Sequence, residues 1–149
     1  MPPDNAPILE PDETQLATFR PDPGRYWRDH GVMALGLMAL AGLVLWLIGS
    51  PYPAIGSLGA ILAVGLRAAY LASETLGLRW VLTNRRLILP DGQSAVMLRD
   101  VERVRPFLGD VQVITSAGDK HLLKHMADAE GVVGKITAAR GQRAERRAS

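Results

Sequence analysis

From Gly31 to Leu66 the chain runs for 36 residues without an Asp, Glu, Lys, Arg or His. A plain soluble globule does not segregate charge in this way, because its charged side chains recur through every helix and loop. All 17 Lys plus Arg and all 15 Asp plus Glu fall outside that stretch. A mainly disordered chain is excluded as well. The full length of 149 residues suits one ordinary domain, or a small domain plus an anchor, and not two independent soluble domains.

The apolar stretch divides at Ser50-Pro51-Tyr52-Pro53, where two prolines remove backbone donors and disfavour helix at the residues before them. Two spans are predicted, Gly31–Gly49 and about Ala54–Leu71, together forming a transmembrane hairpin over residues 31–73. At about 1.5 Å per residue the first reaches roughly 28 Å, against a hydrocarbon thickness of roughly 30 Å. Tyr26, Trp27, Trp46, Tyr52 and Tyr70 fall near the span ends, where amphipathic rings prefer the interface. Arg67 lies about one turn from the end of the second span and can snorkel to the headgroups. A secretory signal fits poorly: the preceding segment is acidic, the apolar run exceeds an h-region, and a second span follows directly. Arg20, Arg25 and Arg28 precede the first span, and Arg67, Arg79, Arg85 and Arg86 follow the second, with no basic residue in the turn. Both termini are therefore expected in the cytoplasm. On the second span Gly56 and Ala60, like Gly59 and Ala63, are four residues apart, a spacing that lets backbones approach closely. Packing inside the hairpin is the preferred reading, with self-association or docking on another membrane protein as the alternatives.

Net charge is +2, but its distribution is uneven. Residues 1–30 form an acidic, Pro-rich segment with net charge −3, and everything from Arg67 onward carries +5. A basic part after the apolar stretch is expected of a domain held near an anionic leaflet. The total is too modest to imply nucleic acid, and the tail from residue 142 to 149, with Arg143, Arg146 and Arg147, has no aromatic to stack a base. That tail is expected to be disordered.

After Glu74 the pattern alternates. Leu78, Trp80 and Leu82 share one face of a strand against Arg79, Val81 and Thr83. Arg86–Leu89, Val96–Leu98, Val101–Val104, Asp110–Ser116 and Lys120–Lys124 continue the series, with turns at Pro90-Asp91-Gly92 and Gly118-Asp119. Such short strands and tight turns predict a small antiparallel barrel or sandwich. A closing helix is predicted from Asp128, its N-cap, to Arg140, with Val132, Val133, Ile136 and Ala139 as the apolar stripe and Gly141 as the terminator.

Three stretches carry a resemblance: Trp80 to Leu89 followed by Gly92, then Val96 to Val104, then Leu108-Gly109-Asp110-Val111. Over roughly residues 31–140 the chain resembles the bacterial membrane-anchored pleckstrin-homology-like (PH-like) family. Members of that family carry an aromatic, a Thr and an Arg on the first hairpin, an Asp stretch ending in Val, a Leu-Gly pair and a closing helix, commonly behind a two-helix anchor. The matching positions here are Trp80, Thr83, Arg86, Gly92, Asp100, Val104 and Gly109. The resemblance implies a transmembrane hairpin followed by a PH-like barrel of about six to seven antiparallel strands over residues 74–141, plugged by the C-terminal helix. It implies structural turns and no catalytic residues, and it leaves residues 1–30 uncovered.

Candidate sites are few. Arg67, Arg79, Arg85 and Arg86 are the residues to contact lipid headgroups or a partner. At the first hairpin the structural alternative is preferred, with Arg86 pinning the turn by hydrogen bonds and Arg85 solvated. A specific phosphoinositide pocket is not expected, since the usual one needs several Lys and Arg converging from more than one strand. His121 and His125 are four apart, but Leu122-Leu123-Lys124 between them lacks the Glu of a zinc hydrolase and the segment reads as strand. Asp100, Glu102 and Asp110 sit at strand ends and turns, where acid–base work would require burial to separate their pKa values. With no cysteine, thiolate nucleophiles and Cys-containing zinc sites are excluded. No phosphate-cradling Gly loop and no Gly-x-Ser-x-Gly elbow occurs. The expectation is a non-enzymatic protein of the bacterial inner membrane, without cofactor, metal, small-molecule substrate or nucleic acid. It would serve as a scaffold or as an assembly or stability factor for another integral membrane protein or complex, with a homo-oligomer or a lipid-surface sensor as the other readings.

Overall fold

Two proline-started helices make up one unit of the chain, Pro23–Gly77, and the residues up to Asp22 together with Leu78–Ser149 make up the other. The computed structural model describes residues 6–149. Helix α1 (Pro23–Leu47) and helix α2 (Pro53–Leu76) pack against each other as an antiparallel hairpin. Gly49, at φ +72°, ends α1. Its amide donates to the Trp46 carbonyl at 3.1 Å and that of Ser50 to the Leu45 carbonyl at 2.9 Å, a Schellman closure that only a residue free to adopt left-handed φ makes cheaply. Across the pair, Tyr26 Oη donates to the Ala68 carbonyl at 2.7 Å and Ser57 Oγ to the Met38 carbonyl at 3.2 Å. The helices extend beyond the apolar limits read from sequence, starting at Pro23 and ending at Leu76, because charged residues at the ends are compatible with helix: Arg25 and Asp29 pair one turn apart at 3.7 Å.

Both helices are long and apolar enough to cross a membrane. None of the most apolar window of α1 is buried, and 11% of that of α2. Leu35, Leu40, Leu43, Leu58, Leu62 and Leu66 all face outward. A core helix of a soluble protein would cover these side chains; here they are exposed along both helices, as an apolar surface that meets a membrane or a partner is.

The other unit is two antiparallel sheets and a helix. Strands β1 (Gln15–Phe19), β2 (Trp80–Thr83), β3 (Arg86–Ile88) and β4 (Ala95–Met97) form one sheet in that order. A single 3-10 turn over Leu98–Asp100 leads to β5 (Val101–Phe107), β6 (Asp110–Thr115) and β7 (Lys120–Leu123), the second sheet. The six strands read after Glu74 are present. The core between the sheets contains Phe19, Trp80, Leu82, Leu87, Val96 and Leu98 on one side and Val101, Val111, Val113 and Leu123 on the other. Helix α3 (Ala129–Ala148) packs on β5, β6 and the 3-10 turn, adding Val132, Ile136 and Ala139 from the stripe read in the sequence. Asp128 caps it as expected, Oδ1 accepting from the Gly131 amide at 2.9 Å.

Three expectations change. First, the acidic, Pro-rich segment before the hairpin, set outside the 74–141 domain by the sequence, supplies one of its strands: β1 lies antiparallel to β2, with Phe19 opposite Trp80 and Gln15 opposite Thr83. The helical hairpin is thus an insertion between two neighbouring strands of one sheet. Second, the strands form two separate ladders among the described residues, and no closed barrel is present. The 3-10 turn after the three-residue β4 takes the chain out of the first sheet instead of continuing its ladder. Third, α3 runs through Gly141 to Ala148, so 142–148 are helical and not a disordered tail. Gly141 is not among the positive-φ residues, and a glycine that keeps helical φ weakens a helix without ending it. Arg146 and Arg147 lie in the last turn, where cations complement the helix dipole.

Candidate functional site

The turn between β2 and β3 is where the N-terminal segment is fastened. The Thr14 amide donates to Asn84 Oδ1 at 3.0 Å, the Asn84 amide to the Thr14 carbonyl at 3.0 Å, and Asn84 Nδ2 to the Asp12 carbonyl at 3.3 Å. Beneath this lies Glu13, a carboxylate only 6% exposed. Arg86 grips it with two guanidinium donors, Nε to Oε1 at 2.9 Å and Nη2 to Oε2 at 3.0 Å, while Thr83 Oγ1 donates to Oε1 at 2.6 Å. Thr83, itself fully buried, also accepts the amides of Arg85 and Arg86 at 3.2 and 3.0 Å. Burial pushes the Glu13 carboxyl up, but bonds from Arg86, Thr83 and the Glu10 amide and the charge of Arg86 outweigh it and lower its pKa from 4.5 to about 2. The Glu13 bond holds the Arg86 guanidinium above its ordinary range against the opposing effect of burial.

Arg85 is not solvated, as the sequence reading had it. It pairs with Glu10 and, at 3.8 Å, with Asp12, and its Nε is buried without a hydrogen-bond partner among the described residues. The pinning role expected of Arg86 is present, but its counter-group is Glu13, 73 positions earlier, which the sequence reading did not single out. An acidic residue shortly before a five-residue run able to form a strand was the available signal.

Four arginines line one cleft of about 140 Å³: Arg85 and Arg86 at the β2–β3 turn, Arg99 in the 3-10 turn and Arg143 on α3, with Met97 and Glu10 completing the wall. This convergence from several elements is what the sequence reading did not expect. It depends on α3 continuing past Gly141, since Arg143 would otherwise lie in the tail. Arg99 is mostly exposed and 3.5 Å from Asp100, and Arg143 is half-buried with no ion pair or hydrogen bond among the described residues.

The other residues singled out are dispersed. Arg67 is exposed on α2, and Arg79 lies half-buried just before β2. Trp80 is in the core, and Val104 packs against it opposite Val113. Gly92, at φ +72°, turns β3 into β4, where Asp91 Oδ1 accepts the amides of Gln93 and Ser94 at 3.0 and 2.8 Å. Bonds from Ser94, then from Gln93, hold the Asp91 carboxyl below its usual range. Gly109 and Leu108 form the β5–β6 turn, both at positive φ. Asp100 is exposed and its carbonyl accepts the Ser116 amide at 2.8 Å. His121 lies in β7, whereas His125 is beyond its end at φ +54°, its amide donating to Asp110 Oδ1 at 2.8 Å. Among the described residues no three His, Asp or Glu side chains are grouped to hold a metal ion.

The four small residues of the second span divide between two faces. Gly56 and Ala60 are half-buried, on the line that continues to Val64 and Ala68, and a Cβ at Gly56 would run into the Leu45 side chain. Gly59 and Ala63 are exposed on the strip flanking that line, and a Cβ at Gly59 would meet nothing within 4 Å.

No protein-family model, curated protein or solved structure matches this chain.

Proposed function

We propose that this protein is a membrane-anchored binding module. In this reading α1 and α2 cross the bacterial inner membrane as a hairpin and hold a PH-like domain at the cytoplasmic face, as a scaffold or an assembly or stability factor for a membrane protein complex. The observation that carries it is the insertion of two outward-apolar helices between β1 and β2. A pair of neighbouring strands joined through a two-helix excursion returns the chain to the side it left, so one folded domain remains on one side of the bilayer with both of its chain segments. The positive-inside bias of the flanking arginines makes that side the cytoplasm. The Trp80, Thr83, Arg86, Gly92 and Leu108-Gly109 positions that carry the PH-like resemblance serve as core, turn and pin, which suits a binding scaffold better than a reaction centre.

The second reading, a lipid-surface sensor without a protein partner, is favoured by one feature. The β5–β6 turn exposes Phe107 and Leu108, 43% and 87%, with the Arg105 guanidinium 6.0 Å from the Phe107 ring centre. Asp110 beside that turn accepts from His125, whose carbonyl accepts the Asp22 amide at 2.7 Å, and the residue after Asp22 begins α1.

The test is co-purification of the intact chain at native expression in mild detergent. A stoichiometric integral membrane partner, retained when anionic lipid is exchanged for phosphatidylcholine, is the expected result. Recovery of the chain alone, with its domain binding anionic vesicles in a salt-sensitive manner, would replace the first reading by the second.

A further inference from the structure

The geometry points to the cleft lined by Arg85, Arg86, Arg99 and Arg143 as a binding site for a phosphate-type oxyanion. The register of the first sheet locates it. Phe19 and Trp80, the ends of β1 and β2 that lead to the helices, pair at one end of the ladder, and Gln15 and Thr83, beside the cleft, pair at the other. The cleft is therefore at the end of the sheet away from the two covalent links to the hairpin.

Its arginines come in two kinds. Arg85 and Arg86 are fixed in place from one side by Glu10, Asp12 and Glu13, so their guanidinium planes are already ordered before a ligand arrives. Arg143, a half-buried residue, has no acid bonded to it among the described residues, and Arg99 is mostly exposed with its Nε alone engaged by Asp100. Each guanidinium carries five N–H donors in a planar fork matched to two oxygens of one anion. Arg85 keeps one of these, Nε, buried and unsatisfied. Buried donors of that kind cost stability and are retained where they serve a ligand or a network.

The volume of about 140 Å³ sets the ligand class. It lies below the roughly 300–1,000 Å³ of pockets that enclose drug-sized molecules, so a base or a sugar is not enclosed with the anion. The ligand is inorganic phosphate or pyrophosphate, or the phosphoryl end of a larger molecule. Glu10, the one carboxylate on the cleft wall among the described residues, competes with it for Arg85.

The experiment is titration calorimetry of the full chain in phosphatidylcholine nanodiscs, with inorganic phosphate and with pyrophosphate as probes. Saturable binding is expected. Arg143→Ala and Arg99→Ala should each weaken it by about tenfold, the loss of one charge-assisted hydrogen bond, and Glu10→Gln should tighten it. Arg143→Lys, which keeps the charge but not the fork, should recover only part of the loss. Repeating the titration in discs containing phosphatidylglycerol separates the sources. Competition by the lipid makes a headgroup the phosphate donor, and its absence makes a free phosphate compound the ligand. No saturable binding of either probe, or binding that Arg143→Ala and Arg99→Ala leave unchanged in chains with native circular dichroism, overturns the assignment.

Discussion

Glu13 and Arg86 are joined by a two-pronged ion pair, 2.9 and 3.0 Å, that ties a segment preceding the helical hairpin to a strand following it. The sequence offers this arginine either as a pin of the first hairpin, the preferred reading, or as a lipid contact, and in the folded chain its Nε and Nη2 face an internal carboxylate and the Ile8 carbonyl. The pair thus closes the sheet around the insertion and removes much of the free charge from that turn.

Acid should release this tie. The Glu13 pKa lies below its unfolded value, so the stability it contributes is fully present above about pH 4.5 and is lost as pH falls toward 2. A drop from 4.5 to about 2 corresponds to about 3 kcal/mol. Glu13→Gln should abolish this acid dependence and, by leaving Arg86 charged without its partner, cost about 3–5 kcal/mol at neutral pH. Urea titration of the full chain in detergent at pH 7 and pH 3, read by amide resonances of β2 and β3, checks both. Equal pH dependence in the wild type and the Gln variant would remove the pair from this role.

Leu108 is 87% exposed and held at φ +50°, a conformation that costs a branched L side chain roughly 1–2 kcal/mol. With Gly109 at φ +88° it makes the two-residue hairpin turn whose preferred sequence is Asn-Gly. Leu108→Asn should therefore raise stability by about 1 kcal/mol, because no packing is lost. A higher urea midpoint is the expected readout. If the same change lowers vesicle or partner binding, the strain is retained for contact and the stability gain will still be seen.

These two sites also divide what the sequence discloses from what it conceals. Strands β2 to β7 are legible because each is a short strand-forming run bounded by its own turn residues, and Asp128 announces α3 by cap chemistry. β1 is not, for two reasons. An irregularity in its pairing between Gln15 and Ala17 breaks the period of two at Leu16, and its partner lies more than sixty residues away across the hairpin. Glu13 reads only as one more acid until β1 is placed. The arginine cleft is concealed by the same kind of distance, since Arg143 reaches it only because α3 outlasts Gly141.

Gly131 and Gly134 offer a contrast on one helix. A Cβ at Gly134 meets nothing, so Gly134→Ala should stabilise α3 by up to about 1 kcal/mol. A Cβ at Gly131 would run into the Asp128 carboxylate that caps the helix, so the gain from Ala is offset by loss of the cap, about 1 kcal/mol. In an Asp128→Ala background there is no cap to lose, and Gly131→Ala should then stabilise as Gly134→Ala does. Thermal unfolding of the four variants forms the cycle; additive effects at 128 and 131 would contradict the contact.

The two faces of α2 should respond differently to the same added side chain. At Gly56 a leucine must displace Leu45 of α1, and overpacking of this kind costs about 1–3 kcal/mol. At Gly59 it projects from an exposed position where a Cβ meets nothing within 4 Å, so the packing of α2 on α1 is not forced apart. Gly56→Leu should lower the unfolding temperature of the full chain in detergent, and Gly59→Leu should not lower it, since leucine favours helix over glycine. Co-purification then assigns the outer face: a partner or a second copy lost from Gly59→Leu, in a chain of native stability, docks along Gly59 and Ala63 by close backbone approach. If Gly59→Leu keeps its partner and its stability, that face meets only lipid, and recognition belongs to the sheets and α3.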